Sequence, residues 1–230
     1  TLQTRLMVIL LLVSGWGLSS RADEGPLVVK TEHGRLHGKR IGKANVFLGI
    51  PYATPPLGDL RWRPPLDFES WTGIRDATRY ALPATQRIPN PSGMREASED
   101  CLYLNVFTPV KRSAKKPLPV MVYLHGGSNV QGSGNMWTAG NEDLFVGQRG
   151  NVVLVTLQFR LGVIGFLAHP ALTAESEHHS SGNYGFLDMI AGLRWVQKNI
   201  KQFGGDPNRV TVFGSSSGSI DTGSLVASPL

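Results

Sequence analysis

An α/β fold, with a mostly parallel central sheet flanked by helices, is what this sequence predicts, and two observations predict it. Pro119-Val-Met-Val-Tyr-Leu124 and Val152-Val-Leu-Val-Thr-Leu157 are continuous apolar runs, as strands covered on both faces should be. An amphipathic stretch from about Tyr184 to Phe203 then leads into a third apolar run, Val210-Thr-Val-Phe213. Strand, helix, strand in that order packs helices over a sheet through right-handed crossovers. The 230 residues suffice for one to two domains with a substantial core.

Taken in order, the chain opens with Arg5 before the apolar run Leu6-Met-Val-Ile-Leu-Leu-Leu-Val13, which continues to Leu18 and is too short to span a bilayer comfortably. Ser20-Arg21-Ala22 places small residues at the −3 and −1 positions of a cleavage site. Residues 1–22 are therefore expected to be a secretory signal peptide, with an uncleaved signal anchor as the alternative. The mature chain would be secreted or periplasmic and would keep no membrane span. Leu27-Val-Val-Lys-Thr31 and Asn45-Val-Phe-Leu-Gly-Ile50, bounded by Gly or Pro, read as an opening β meander. Pro51 to Pro65 is dense in Pro and Gly and suits an extended surface path. Pro83 to Asp100 is a second loop, and Leu102-Tyr-Leu-Asn-Val-Phe-Thr108 is an imperfectly alternating strand. In the amphipathic stretch Met189, Leu193, Val196, Ile200 and Phe203 recur at helical spacing, and Gly204-Gly205 supplies the stop.

Composition narrows the function classes. The formal net charge of +6 becomes +4 without Arg5 and Arg21, 21 basic against 17 acidic side chains, and the basic residues form no stripe of the kind that binds nucleic acid. The single Cys excludes an internal disulfide, and no Cys/His cluster has the spacing of a zinc site.

Gly214-Ser215-Ser216-Ser217-Gly218 matches G-x-S-x-G in one register, with Ser216 at its centre. The run follows a buried strand and precedes the helix-compatible Ile220–Ala227, so a sharp strand-to-helix turn would present the Ser216 hydroxyl beside the positive end of a helix. His125-Gly126-Gly127-Ser128 follows the strand ending at Leu124, where such an enzyme needs a second source of backbone N–H donors. His125 is read as a loop-orienting residue and not as a base. Asp221 is read as a structural carboxylate on the following helix, and His178-His179 as a solvated loop.

Several blocks in this order resemble the type B carboxylesterase and cholinesterase family of α/β-hydrolases. They are Ser98-Glu-Asp-Cys-Leu-Tyr-Leu-Asn-Val-Phe-Thr-Pro109, Phe159-Arg-Leu-Gly-Val-Ile-Gly-Phe166, Gly182-Asn-Tyr-Gly-Phe-Leu-Asp188, Leu193-Arg-Trp-Val-Gln-Lys-Asn-Ile200 and Phe203-Gly-Gly-Asp-Pro207. The resemblance implies the α/β-hydrolase fold, with residues 23–230 as the N-terminal part of a catalytic domain that is truncated after the nucleophile helix. It implies hydrolysis of neutral, modest-sized carboxylic esters through an acyl-enzyme, with no cofactor or metal. Ser216 would be the nucleophile, and backbone N–H groups of Gly127, Ser128 and Ser217 would hold the oxyanion.

The chain departs from the family at particular places. Ser128 stands where the family has a third Gly, and Ser215 and Ser217 stand where it has Glu and Ala. The family's partner for the Cys of S-E-D-C falls near Ala84, so Cys101 is expected to be a free, buried thiol. Thr85 to Asp100 lacks the aromatic residue that holds a quaternary ammonium in cholinesterases, which argues against choline esters. All six histidines precede Ser216, contrary to the Ser, acid, His order of this fold. The polypeptide is accordingly expected to be a fragment, unstable and inactive alone because the strand Val210–Phe213 would have a bare apolar edge. The alternatives are a non-catalytic relative used for binding or adhesion, and an inactive truncated product. Oligomeric state and the acyl and alcohol preferences are not legible.

Overall fold

The computed structural model describes residues 27–89, 95–111, 116–136, 141, 146 and 151–229. The expected signal segment, residues 1–22, lies outside them. Among the described residues, nine strands form two sheets. β1 (Val28–Lys30), β2 (Arg35–His37) and β5 (Ile74–Asp76) make a small sheet in which β2 lies in the middle. The main sheet contains β3 (Lys39–Ile41), β4 (Ala44–Pro51), β6 (Tyr103–Pro109), β7 (Leu118–Leu124), β8 (Val153–Leu157) and β9 (Gly205–Gly214). Its order is β3-β4-β6-β8-β7-β9. The expected meander is thus divided between two sheets, with Leu27–Thr31 contributing to one and Asn45–Ile50 to the other.

The α/β class holds, and the strand directions correct the expectation of a mostly parallel sheet. β8, β7 and β9 run parallel, whereas β3, β4, β6 and β8 pair antiparallel. The reason is the connections. β3 turns directly back into β4, whereas β8 and β9 are bridged by α1 (Gly162–Phe166), α2 (Pro170–Glu175) and a longer third helix, a crossover of the kind parallel strands require.

The two continuous apolar runs are explained by alternation across the sheet. Val120, Val122 and Leu124 of β7, with Val153, Val155 and Leu157 of β8, enter one core cluster, while Tyr123 and Leu154 enter another on the opposite face. Helix α3 (Tyr184–Asn199) covers the first face with Met189, Trp195 and Val196, and a 3-10 turn, Ile200–Phe203, adds Ile200 and Phe203. Gly204 ends this segment at φ +84°, and its N–H donates to Ile200 O and Lys201 O.

An ion pair that sequence reading did not single out fastens this layer. Arg160, just after β8, donates from Nε and Nη2 to the two carboxylate oxygens of Asp188 on α3, at 2.8 and 2.7 Å. Asp188 also accepts the Arg160 backbone N–H at 3.0 Å, and both side chains have 0% exposure. Two of the recognised sequence blocks therefore meet at a single buried contact. Cys101 is free and buried, as expected, and burial pushes its thiol well above the ordinary range. Pro51 to Pro65 is irregular, with a 3-10 turn at Gly58–Leu60 and a turn at Trp62, and the expected surface path is corrected at its start, where Tyr52 and Ala53 are buried in the core because they pack beneath the sheet's end.

Candidate active site

Strand register places the two Gly-rich motifs side by side. β7 and β9 are parallel neighbours with Leu124 opposite Gly214, so the chain leaves both strands at the same level of the sheet. After Gly214 it turns sharply at Ser216, with φ 53° and ψ −125°, and enters α4 (Ser217–Ala227). Side chains other than Gly rarely adopt that φ, so the turn holds Ser216 in a strained conformation. Its side chain is exposed at the helix N-terminus.

Close backbone approach accounts for the flanking glycines. A Cβ on Gly214 would lie 2.3 Å from the carbonyl carbon of Gly218, and one on Gly218 would lie 2.2 Å from Leu124 O. Both are impossible contacts, so the turn closes only with glycine at each end. The His125 loop abuts the same turn, since a Cβ on Gly126 would meet Ser215 O at 2.6 Å and Ser216 Cβ at 3.0 Å.

The proposed oxyanion donors come from both sides of this junction. Gly127 has φ +122°, and Val130 and Gln131 both donate to its carbonyl at 3.1 Å. Ser128 and Asn129 follow with φ of 56° and 57°, a left-handed pair of non-glycine residues. Ser217 is buried at the first position of α4, where helical N–H groups have no intrahelical partner. The structure thus brings Ser216, Gly127, Ser128 and Ser217 to one junction.

The other singled-out residues lie around it. His125 is 4% exposed and stacks on Phe159 with ring centroids 4.4 Å apart. Its Nδ1 donates to Gly126 O at 2.9 Å, and desolvation lowers its pKa from 6.5 to about 4, so it is neutral at pH 7. Asp221, 2% exposed, faces inward and accepts a hydrogen bond from Asn129 Nδ2 at 2.9 Å, and burial pushes its carboxyl upward. His178 and His179 are exposed. A groove of about 390 Å³ opens beside Ser128, lined by Val130, Val163, Phe166 and Leu167 among others.

Sequence reading missed the residues that brace the loop from behind. Gln86 accepts from Gly132 N and donates to Gly132 O, each at 2.9 Å. Gln158 accepts from Gly134 N at 3.2 Å and donates to Ser133 Oγ at 3.0 Å. Tyr123 and Ser215 share a hydrogen bond of 2.9 Å at the start of the turn. Nothing in residue type or spacing marked these, because each pairing joins distant parts of the chain. Among the described residues, no group of three or more His, Cys, Asp or Glu side chains is placed to hold a metal ion. Among the same residues, no helix is long and apolar enough to cross a membrane.

Residues 25–230 match the carboxylesterase family. The chain belongs to that family. The carboxylesterase relatives it is similar to include a fumonisin B1 esterase of Sphingopyxis macrogoltabida, 48% identical over 215 residues, covering 93% of this chain and 39% of that protein. An acylcarnitine hydrolase of Rattus norvegicus is 41% identical over 244 residues, covering 97% of this chain and 41% of that protein. Among solved structures, a PNB esterase superimposes with a TM-score of 0.79 at 39% identity, over 88% of this chain and 41% of that one. A carboxylesterase of Geobacillus stearothermophilus does so with a TM-score of 0.76 at 40% identity, over 88% and 41% of the respective chains. The fold is that of the α/β-hydrolase carboxylesterases, and the chain spans about two fifths of the length of these relatives.

Proposed function

We propose that the protein hydrolyses carboxylic esters of modest size through Ser216 and an acyl-enzyme. The observation that carries this reading is the exposed Ser216 at φ 53° between β9 and α4, with the Gly126 loop against it. Ser216 Oγ attacks the acyl carbon, and the carbonyl oxygen takes up negative charge facing the N–H groups of Gly127, Ser128 and Ser217. The bond to the alcohol then breaks, the alcohol leaves with a proton, and water cleaves the acyl-enzyme to release the acid.

The relay needs a general base, and His125 does not suit it, being buried, committed through Nδ1 to Gly126 O, and only weakly basic with its pKa lowered to about 4. His125 is therefore not the base of the proposed relay. An exported location is part of the same proposal, on the strength of the Arg5-led apolar run and Ser20-Arg21-Ala22. A non-catalytic binding role is the second reading, favoured by the Cβ that Ser128 carries at φ 56° where the resemblance calls for Gly.

The test is hydrolysis of short p-nitrophenyl esters by the product of the complete gene, beside its Ser216→Ala variant, with mass spectrometry of the wild type after a fluorophosphonate. Turnover lost in the variant, with the adduct on Ser216, is expected. Equal activity of both proteins, or inactivity of both, would sink the serine-esterase reading.

A further inference from the structure

Helix α4 is arranged against its own hydrophobicity. Ile220 and Val226 are 72% and 83% exposed, while Ser217, Gly218 and Asp221 are buried. Burying a carboxylate is costly unless it is hydrogen-bonded, so the inward position of Asp221 calls for a partner. That partner is Asn129, the residue after the proposed donor Ser128. Ser217 and Asp221 are four residues apart and share one face of the helix.

Asn129 is held from two directions. Its carbonyl accepts the N–H of Gly162 at 2.6 Å, and its side chain donates to Asp221 Oδ1 at 2.9 Å. Its backbone sits at φ 57°, a conformation in which Asn is tolerated and which persists where neighbours hold it. The Ser217 N–H belongs to α4 and the Gly127 and Ser128 N–H groups to the loop, so the spacing of the three donors depends on how loop and helix are joined. The Asn129–Asp221 bond is the side-chain contact that joins them across 92 positions of sequence.

The geometry points to Asn129 and Asp221 as a positioning pair that latches the oxyanion loop to the nucleophile helix and sets the alignment of the Ser128 and Ser217 donors. This rests on the serine-esterase reading above. Neither side chain touches the reacting atoms. A latch of this kind acts on the oxyanion, which forms only in the transition state, so its loss lowers kcat and leaves KM unchanged.

The experiment is a donor and acceptor swap in the product of the complete gene, with kcat and KM measured on p-nitrophenyl butyrate and fluorophosphonate labelling of Ser216 run in parallel. Asn129→Asp sets two carboxylates face to face and is expected to lower kcat roughly ten-fold, as is Asn129→Ala. Asp221→Asn combined with Asn129→Asp restores one donor facing one acceptor and is expected to recover kcat to within about two-fold of wild type. Unchanged kcat in both single variants would overturn the latch, and so would a double variant no better than Asn129→Asp. A rise in KM alone would also overturn it. A wild-type enzyme that neither turns over nor labels would overturn the serine-esterase reading along with it, whereas a reactive wild type with indifferent variants removes the latch alone.

Discussion

The hydroxyl of Tyr123 lies 2.9 Å from that of Ser215, so the penultimate residue of β7 holds the residue that precedes the proposed nucleophile. Tyr123 and Phe213 are also register partners, with ring centroids 5.3 Å apart. Position 215 carries a hydroxyl where the resemblance calls for a carboxylate, and here that hydroxyl braces the turn. Tyr123→Phe keeps the ring packing and removes the bond, and it should lower the unfolding free energy by about 1 kcal/mol. Urea unfolding checks this, and identical midpoints for the two proteins would show that the contact contributes nothing.

Stability should also fall in mild acid because of His125. Its folded pKa of about 4 lies below the ordinary 6.5, so between those values the unfolded chain takes up a proton that the folded chain refuses. The folded state therefore loses stability as pH drops from about 6.5 toward 4, by up to roughly 3 kcal/mol over the window. His125→Gln, which does not titrate, should show a shallower decline between pH 7.5 and 5 in urea melts. Parallel curves for the two proteins would contradict the assignment.

Gly126→Ala tests the junction between the two loops. The added Cβ would sit 2.6 Å from Ser215 O, a contact relieved only by moving the loop off the turn. Turnover of a p-nitrophenyl ester should fall by more than ten-fold, by analogy with loss or displacement of an oxyanion donor. Activity within two-fold of wild type would mean that the loop has room to shift without consequence.

Asp188→Asn keeps the side-chain shape and leaves the fully buried Arg160 charge uncompensated. Breaking such a pair costs about 3 to 5 kcal/mol, enough to take a marginal domain to the edge of folding. The variant should accumulate in the insoluble fraction or melt far below the wild type. A melting temperature close to wild type would show that Arg160 finds another partner.

Cys101 should be inert in the folded protein. It is 1% exposed, and desolvation raises its thiol well above the ordinary range, so both access and thiolate are lacking. Iodoacetamide at pH 8 followed by peptide mass spectrometry should leave it unmodified without denaturant and alkylate it in 6 M guanidinium. Rapid alkylation of the native protein would place it at an open surface.

Much of the local structure was legible from residue patterns. The runs at Pro119–Leu124 and Val152–Leu157 became β7 and β8, and the amphipathic stretch became α3 with its stop at Gly204. The strand read as Val210–Phe213 proved longer, Gly205–Gly214, because Gly205 pairs with Leu118 of β7 and the strand passes through an irregular stretch, with Asp206 and Pro207 in it, before the regular register resumes at Val210. Of the apolar series, Met189, Val196, Ile200 and Phe203 are buried and Leu193 is only partly so, and the inward face also carries Asp188, Gly192, Trp195 and Asn199. Periodicity marked the helix and missed the polar members of its buried face.

What the sequence determined by itself is therefore whatever depends on neighbours in the chain: buried strands, the helix and its stop, the glycine-flanked Ser216 and the glycines after His125. The tertiary structure alone decided the mixed strand directions, the burial of Arg160 with Asp188, and the bonds of Tyr123 to Ser215 and of Asn129 to Asp221. Each of those last two spans 92 residues. A hydrogen bond is short and directional, so no composition or spacing announces it until β7 and β9 lie side by side and carry the two loops together.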